Sequence, residues 1–134
     1  MTHVPVTPFL RLALRVDALS SAAMGACLAL AAGPLSELLG LPTPFLRIVG
    51  VVCLAFAAML WVVSARERIR TAFGWGIALL NAVWVADSLL LLASGWVSPT
   101  ALGSAFVLLQ AVTVAGFALA QGLALRGARP LAAA

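Results

Sequence analysis

Four stretches of about 20 or more mostly apolar residues occupy nearly the whole chain, and short polar or Pro/Gly-containing segments separate them. A helix needs roughly 20 apolar residues to cross the hydrocarbon layer of a membrane. Lipid offers no partners for backbone N–H and C=O groups, so an open chain crosses a membrane only as helices. The sequence therefore predicts an all-α, polytopic four-helix transmembrane bundle. It forms one domain over residues 1–134, with spans at about 9–32, 45–64, 72–94 and 100–125.

The amino-acid composition excludes an ordinary soluble domain. Of the 134 residues, 64% are hydrophobic and 9% are charged, whereas soluble domains have about 45–50% apolar and about 25% charged residues. The net charge is +4, and the basic residues other than the single histidine are all arginines at the ends of apolar stretches. Such placement is typical of topology signals and of contacts with lipid headgroups. We therefore expect the lipid bilayer as a partner and no nucleic acid.

The arginines also predict an orientation. All but one of them flank the first span, lie between the second and third spans, or follow the fourth, and in a four-span chain these places share one side of the membrane. The positive-inside rule then predicts cytoplasmic N and C termini in the inner (plasma) membrane. The first stretch is longer than the 7–15 residues of a signal-peptide core, so we expect it to be retained. The arginines on this side are Arg11, Arg15, Arg66, Arg68, Arg70, Arg126 and Arg129; Arg47 lies on the other.

Polar residues inside the predicted spans mark a candidate ligand-binding or polar pocket. Such side chains are unfavourable in lipid and face partners, cavities or functional sites. Asp87 lies roughly 10 Å below the outer end of the third span, and Arg47 lies just inside the outer end of the second. We expect an Arg47–Asp87 ion pair in the outer half of the membrane. The other residues predicted for this pocket are Asn81, Trp84, Ser88, Gln110 and Thr113.

Two interpretations of this pocket remain open. Asp87 either binds a ligand, an ion or a proton, or it is neutralised by Arg47 and only fixes the packing of the helices.

Asp17 of the first span is predicted near the cytoplasmic interface. There a salt bridge with Arg11, Arg15 or the arginines of the middle loop, or a snorkelling arrangement, would satisfy its charge, and a proton relay is the alternative.

The connections carry local structural signals. Four leucines surround Glu37 between Gly33 and Pro44, which predicts a short helix on the outer surface or folded over the mouth of the bundle. Thr100 is placed to cap the fourth span.

No motif for catalysis or metal binding is present in the sequence. Cys27 and Cys53 lack the C-x-x-C spacing and are flanked by apolar residues, which predicts free thiols. His3 is alone, in a terminus that we expect to be floppy, and no His/Cys/carboxylate cluster suggests a metal. Phosphate-binding loops and nucleophile elbows are missing as well. We therefore expect no catalytic residues, no metal and no cofactor.

Three stretches resemble those of small uncharacterised four-span proteins of bacterial inner membranes. They are LRLALRVDA at residues 10–18, NAVW at residues 81–84 and SPTALG at residues 98–103. The layout of spans is also similar to that of DoxX-like four-helix membrane proteins over most of the chain. The resemblance implies the same layout and membrane, and no functional residue is carried over because fold does not determine function.

Three functions fit these observations. The favoured one is non-catalytic: a helper subunit for a membrane partner protein, or a binder of a lipophilic small molecule in the outer-half pocket. An alternative is a small transporter or channel that uses Asp87 and Gln110 and works as a homo-oligomer, since one four-helix bundle encloses little space. A second alternative is an intramembrane enzyme with Asp87 as acid or base.

Overall fold

A computed structural model describes residues 1–131, which form five α-helices and a short two-stranded sheet. Four of the helices are long and apolar enough to cross a membrane, and a shorter one, α2 (Ala32–Leu39), follows the first of them. Each long helix begins and ends within two residues of the predicted span, so the prediction of four helices long and apolar enough to cross a membrane is confirmed. The long helices are α1 (Pro8–Leu30), α3 (Thr43–Ser64), α4 (Thr71–Ser94) and α5 (Ala101–Gly127).

Local sequence signals set the starts of α1 and α5. The Oγ1 atom of Thr7 accepts a hydrogen bond from the Leu10 N–H at 3.2 Å, and Pro8 occupies the first helical position. Thr100 caps α5 in the same way, accepting from the Gly103 N–H at 3.0 Å. Both caps satisfy a backbone donor that the first helical turn leaves unpaired. The cap predicted at Thr100 is therefore confirmed.

The end of α2 lies against the start of α5. Gly40 ends α2 with φ 69°, a left-handed conformation that glycine adopts without a steric penalty. The Thr100 hydroxyl donates to the Leu38 carbonyl at 2.8 Å, and the Thr100 N–H donates to the Leu39 carbonyl at 3.0 Å. These bonds hold α2, the short helix predicted between Gly33 and Pro44, across one end of the bundle. We call this end the α2 end.

The long helices form two antiparallel pairs. α1 packs along α3, α4 packs along α5, and contacts between α1 and α5 join the two pairs. α3 and α4, by contrast, make almost no contact with each other. The bundle therefore has a gap on one side, between two helices that are each long and apolar enough to cross a membrane.

A small sheet lies at the opposite end, which we call the strand end. β1 (His3–Pro5) pairs antiparallel with β2 (Arg68–Arg70), and Leu131 forms a bridge with His3. The all-α prediction and the prediction of a floppy N terminus both omitted this sheet. Its physical cause is a short alternation in which Val4 and Val6 face the core and are buried with Ile69. Both termini of the described chain and the α3–α4 connection therefore meet at one end.

Candidate functional site

The gap between α3 and α4 widens into a lateral cleft towards the α2 end. Its volume is about 920 Å³, within the range of roughly 300–1,000 Å³ typical of small-molecule sites. The walls come from the first turns of α3 and the second half of α4, and α1 and α5 form the back. Most of the lining is apolar, including Met24, Leu28, Phe45, Leu46, Val49 and Phe106. The cleft exists because the two flanking helices do not pack together.

Three polar residues form a closed hydrogen-bond network in the cleft wall. The Trp84 Nε1–H donates to Gln110 Oε1 at 2.8 Å, and Gln110 Nε2 donates to Ser88 Oγ at 2.9 Å. The Ser88 hydroxyl donates in turn to the Trp84 carbonyl oxygen at 2.8 Å. We call these residues the Trp84 network. It ties α4 to α5 and fixes the orientation of the indole ring along the cleft.

Asp87 also lines the cleft, and its carboxylate has no partner in the described part of the chain. Within residues 1–131, no side chain donates a hydrogen bond to it and no arginine or histidine nitrogen lies within 4.0 Å of its oxygens. The side chain is exposed. The free Asp87 carboxylate therefore lies next to the Trp84 network, whose members already bond to one another.

The predicted Arg47–Asp87 ion pair is wrong. Arg47 is exposed and does not line the cleft. At 100° per residue it lies about 150° around α3 from the face that carries Phe45, Leu46 and Val49. The similar depths of Arg47 and Asp87 along the membrane normal predict the pair, but the rotation of α3 turns the Arg47 guanidinium away from the cleft.

A second polar cluster, the central network, lies in the core between α1, α4 and α5. Asp17 Oδ2 accepts from Asn81 Nδ2 and from Gln121 Nε2, both at 2.8 Å. Asp17 Oδ1 accepts from Ser21 Oγ at 3.2 Å, and Asn81 Nδ2 also donates to Gln121 Oε1 at 3.0 Å. Asp17 and Gln121 are each 1% exposed and Asn81 is 4% exposed. The network joins three helices through one carboxylate.

The predicted salt bridge of Asp17 with arginine is also wrong. Asp17 lies nine residues beyond the start of α1, about 14 Å along the helix, and two amides and a hydroxyl satisfy it. Arg11 and Arg15 point instead to the end of α3. Arg11 Nη1 donates to the Ser64 carbonyl oxygen, and the Arg15 guanidinium lies 5.5 Å from the centre of the Trp61 ring. Carbonyl groups at a helix C terminus attract cations, which explains why these arginines point to the end of α3.

Four of the seven residues predicted for the pocket lie together in the cleft, and three do not. Asp87, Trp84, Ser88 and Gln110 line it. Asn81 belongs to the central network, and Arg47 faces away. Thr113 is exposed outside the cleft, where its hydroxyl donates to the Leu109 carbonyl of its own helix at 2.9 Å.

Sequence reasoning missed the central network, although a signal for it was present. Asp17 lies nine residues after the first residue of α1, Asn81 ten after the first of α4, and Gln121 six before the last of α5. All three are therefore at similar depth from the strand end. Matching polar residues by depth across all the spans would have grouped them.

Comparisons with protein-family models, with curated proteins and with solved structures found no match. Among residues 1–131, no group of three or more His, Cys, Asp or Glu side chains is placed to hold a metal ion. Cys27 and Cys53 are free thiols. The function is therefore inferred from the chemistry of the cleft.

Proposed function

We propose that the protein is a non-catalytic membrane protein that binds a lipophilic small molecule or a lipid in the cleft between α3 and α4. The observation that carries the proposal is the cleft of about 920 Å³, with mostly apolar walls and a small number of polar groups at one side. Ligand sites have this composition, because apolar walls hold the body of a ligand and few polar groups fix its orientation.

The position of the opening supports a ligand that enters from the bilayer. The cleft opens between two helices, each of which is long and apolar enough to cross a membrane. A molecule that leaves the lipid through this opening exchanges one apolar environment for another. A ligand with a hydrocarbon body therefore fits the site better than a small polar solute.

The non-catalytic part of the proposal is supported by the bonding of the polar groups. Gln110 and Ser88 are engaged within the Trp84 network, and Asp87 makes no hydrogen bond to a nucleophilic side chain within residues 1–131.

The proposal places the protein in an inner (plasma) membrane with its strand end in the cytoplasm. The arginines clustered towards that end support this orientation, which puts the cleft in the outer half of the bilayer.

Photo-crosslinking in lipid nanodiscs tests the proposed binding. The probe is a long-chain alcohol with a diazirine on its hydrocarbon chain. We expect saturable labelling concentrated on the cleft-lining parts of α3 and α4. Val49→Phe, which adds bulk inside the cleft, should reduce saturable labelling about tenfold or more, as expected when a pocket is filled and its contacts are lost.

Val51→Phe is the matched control. Val51 is on the same helix, two residues away, and is 59% exposed outside the cleft. The same substitution there adds the same bulk towards lipid and should leave labelling unchanged. Non-saturable labelling spread over all four long helices would contradict a specific site, as would equal labelling of the two variants.

A further inference from the structure

We infer that Asp87 makes the cleft selective for amphiphiles with a positively charged, hydrogen-bond-donating headgroup, which are long-chain amines. This inference rests on the proposed function, since it names the class of ligand that the cleft would take. It follows from the bonding of Asp87 and of the Trp84 network beside it, and from the physics of binding in lipid.

Apolar contacts alone give this cleft little selectivity. In water, burial of hydrocarbon drives binding, but lipid tails are as apolar as the cleft walls. Association inside a membrane therefore depends on packing and on polar interactions. The headgroup of a ligand must supply most of the preference for one amphiphile over another.

Asp87 carries a carboxylate in the cleft lining that is free to contact a headgroup. The three side chains of the Trp84 network donate to one another or to helix carbonyls. The Asp87 carboxylate lines the same cleft and accepts no hydrogen bond from a side chain within residues 1–131. An ionised carboxylate only accepts hydrogen bonds, so its partner must be a donor.

The negative charge of Asp87 favours a donor group that carries a positive charge. Asp87 lies seven residues before the end of α4, roughly 10 Å along the helix, where an uncompensated charge in a membrane is unfavourable. The cleft lining contains no arginine or histidine, and Arg47 faces away from it. A ligand ammonium group would compensate the carboxylate, whereas an anionic headgroup would be repelled.

Competition in the nanodisc assay tests the inference. Three competitors share one chain length and differ only in the headgroup: a primary amine, an alcohol and a carboxylate. Each is titrated, and its potency is expressed as its mole fraction in a phosphatidylcholine bilayer, so differences in partitioning do not enter. We expect the amine to displace the neutral probe at about a tenfold lower mole fraction than the alcohol, as a charge-assisted hydrogen bond predicts. The carboxylate should be the weakest competitor.

Two variants test whether Asp87 is the residue that causes the preference for the amine. Asp87→Asn keeps the shape of the side chain and removes its charge, and it should make the amine and the alcohol equal competitors. Glu37→Gln removes a negative charge at the same end of the molecule, on exposed α2 and outside the cleft. It should keep the full preference for the amine.

The remaining outcomes separate the inference from the proposed function. Equal competition by amine and alcohol in the unmodified protein, with labelling still sensitive to Val49→Phe, overturns the selectivity and leaves a ligand site in place. A preference for the amine that survives in Asp87→Asn overturns the assignment to this carboxylate. Absence of saturable labelling in the unmodified protein overturns both proposals.

Discussion

Asp17 and Asp87 are the same type of residue in two of the long apolar helices, but their surroundings differ. Asp17 is buried and accepts hydrogen bonds from three side chains. Asp87 is exposed in a cleft and accepts none from a side chain in the described chain. A carboxylate that joins three helices contributes to folding, whereas one without partners has nothing to contribute to it. The two residues are therefore expected to respond oppositely in tests of stability and of binding.

At the residue scale, we predict that Asp17→Ala destabilises the protein more than Asp17→Asn. Alanine leaves the amide groups of Asn81 and Gln121 without their acceptor, which we expect to lower the free energy of unfolding by about 1–3 kcal/mol. Asparagine keeps one oxygen in place to accept from both amides, so its effect should be about half as large or smaller. Reversible unfolding in mixed detergent micelles measures both changes.

Asp87→Asn is the control in the same experiment. With no side-chain partner to lose and an uncompensated charge removed, it should leave stability unchanged or raise it. Equal effects of Asp17→Ala and Asp17→Asn would show that the central network does not hold the helices together as described. A loss of stability in Asp87→Asn as large as that in Asp17→Ala would show that the carboxylate of Asp87 also contributes to folding.

At the element scale, the packing of α1 on α3 depends on two glycines. A Cβ atom on Gly50 would lie 2.6 Å from the Ala29 backbone nitrogen and 2.8 Å from the Gly25 carbonyl oxygen. Both neighbours are backbone atoms that cannot rotate away. The small residues therefore let the two helices approach closely, which is a main source of helix association where lipid removes the hydrophobic driving force.

We predict that Gly50→Ala pushes α1 and α3 apart and destabilises the protein by about 1–3 kcal/mol, as overpacking does. Gly116→Ala is the matched control, because a Cβ there would meet open space. It replaces glycine by a better helix former and should be neutral or stabilising by up to about 1 kcal/mol. Thermal unfolding followed by helical circular dichroism distinguishes the two variants, and equal midpoints would contradict the close approach.

For the whole molecule, the two ends differ in charge and in structure. The strand end gathers both termini of the described chain and the α3–α4 connection around the small sheet, and at the α2 end the end of α2 is bonded to the start of α5. The arginines flanking the strand end lead us to predict that it faces the cytoplasm. The orientation of the cleft in the membrane follows from this assignment.

Cysteine accessibility tests that orientation. Glu37 on α2 and Glu67 in the α3–α4 connection are exposed residues of the same type at opposite ends. In a background with Cys27 and Cys53 replaced by alanine, Glu37→Cys should react with a membrane-impermeant maleimide on intact spheroplasts. Glu67→Cys should react only after the cells are lysed. The reverse pattern would show that the protein has the opposite orientation, with the cleft in the inner half of the bilayer.

The sequence by itself determined the four spans and where they end. Long apolar runs favour membrane helices wherever they occur in a chain, and caps such as Thr100 act within one turn. Depth along each span and the residues that share one face of a helix could also be read by counting residues, which is why Ser88, Trp84 and Gln110 were predicted for one pocket.

Only the tertiary structure decided how α3 is rotated and which helices touch. Lipid accepts apolar side chains on every face of a helix, so the hydrophobic pattern does not mark an inward side as it does in water. Rotation is set instead by long-range contacts, such as Gly50 against α1 and the amides of α4 and α5 against Asp17. Those contacts turn Arg47 away from Asp87 and leave α3 and α4 apart. The cleft is the result, and no local signal in the sequence encodes it.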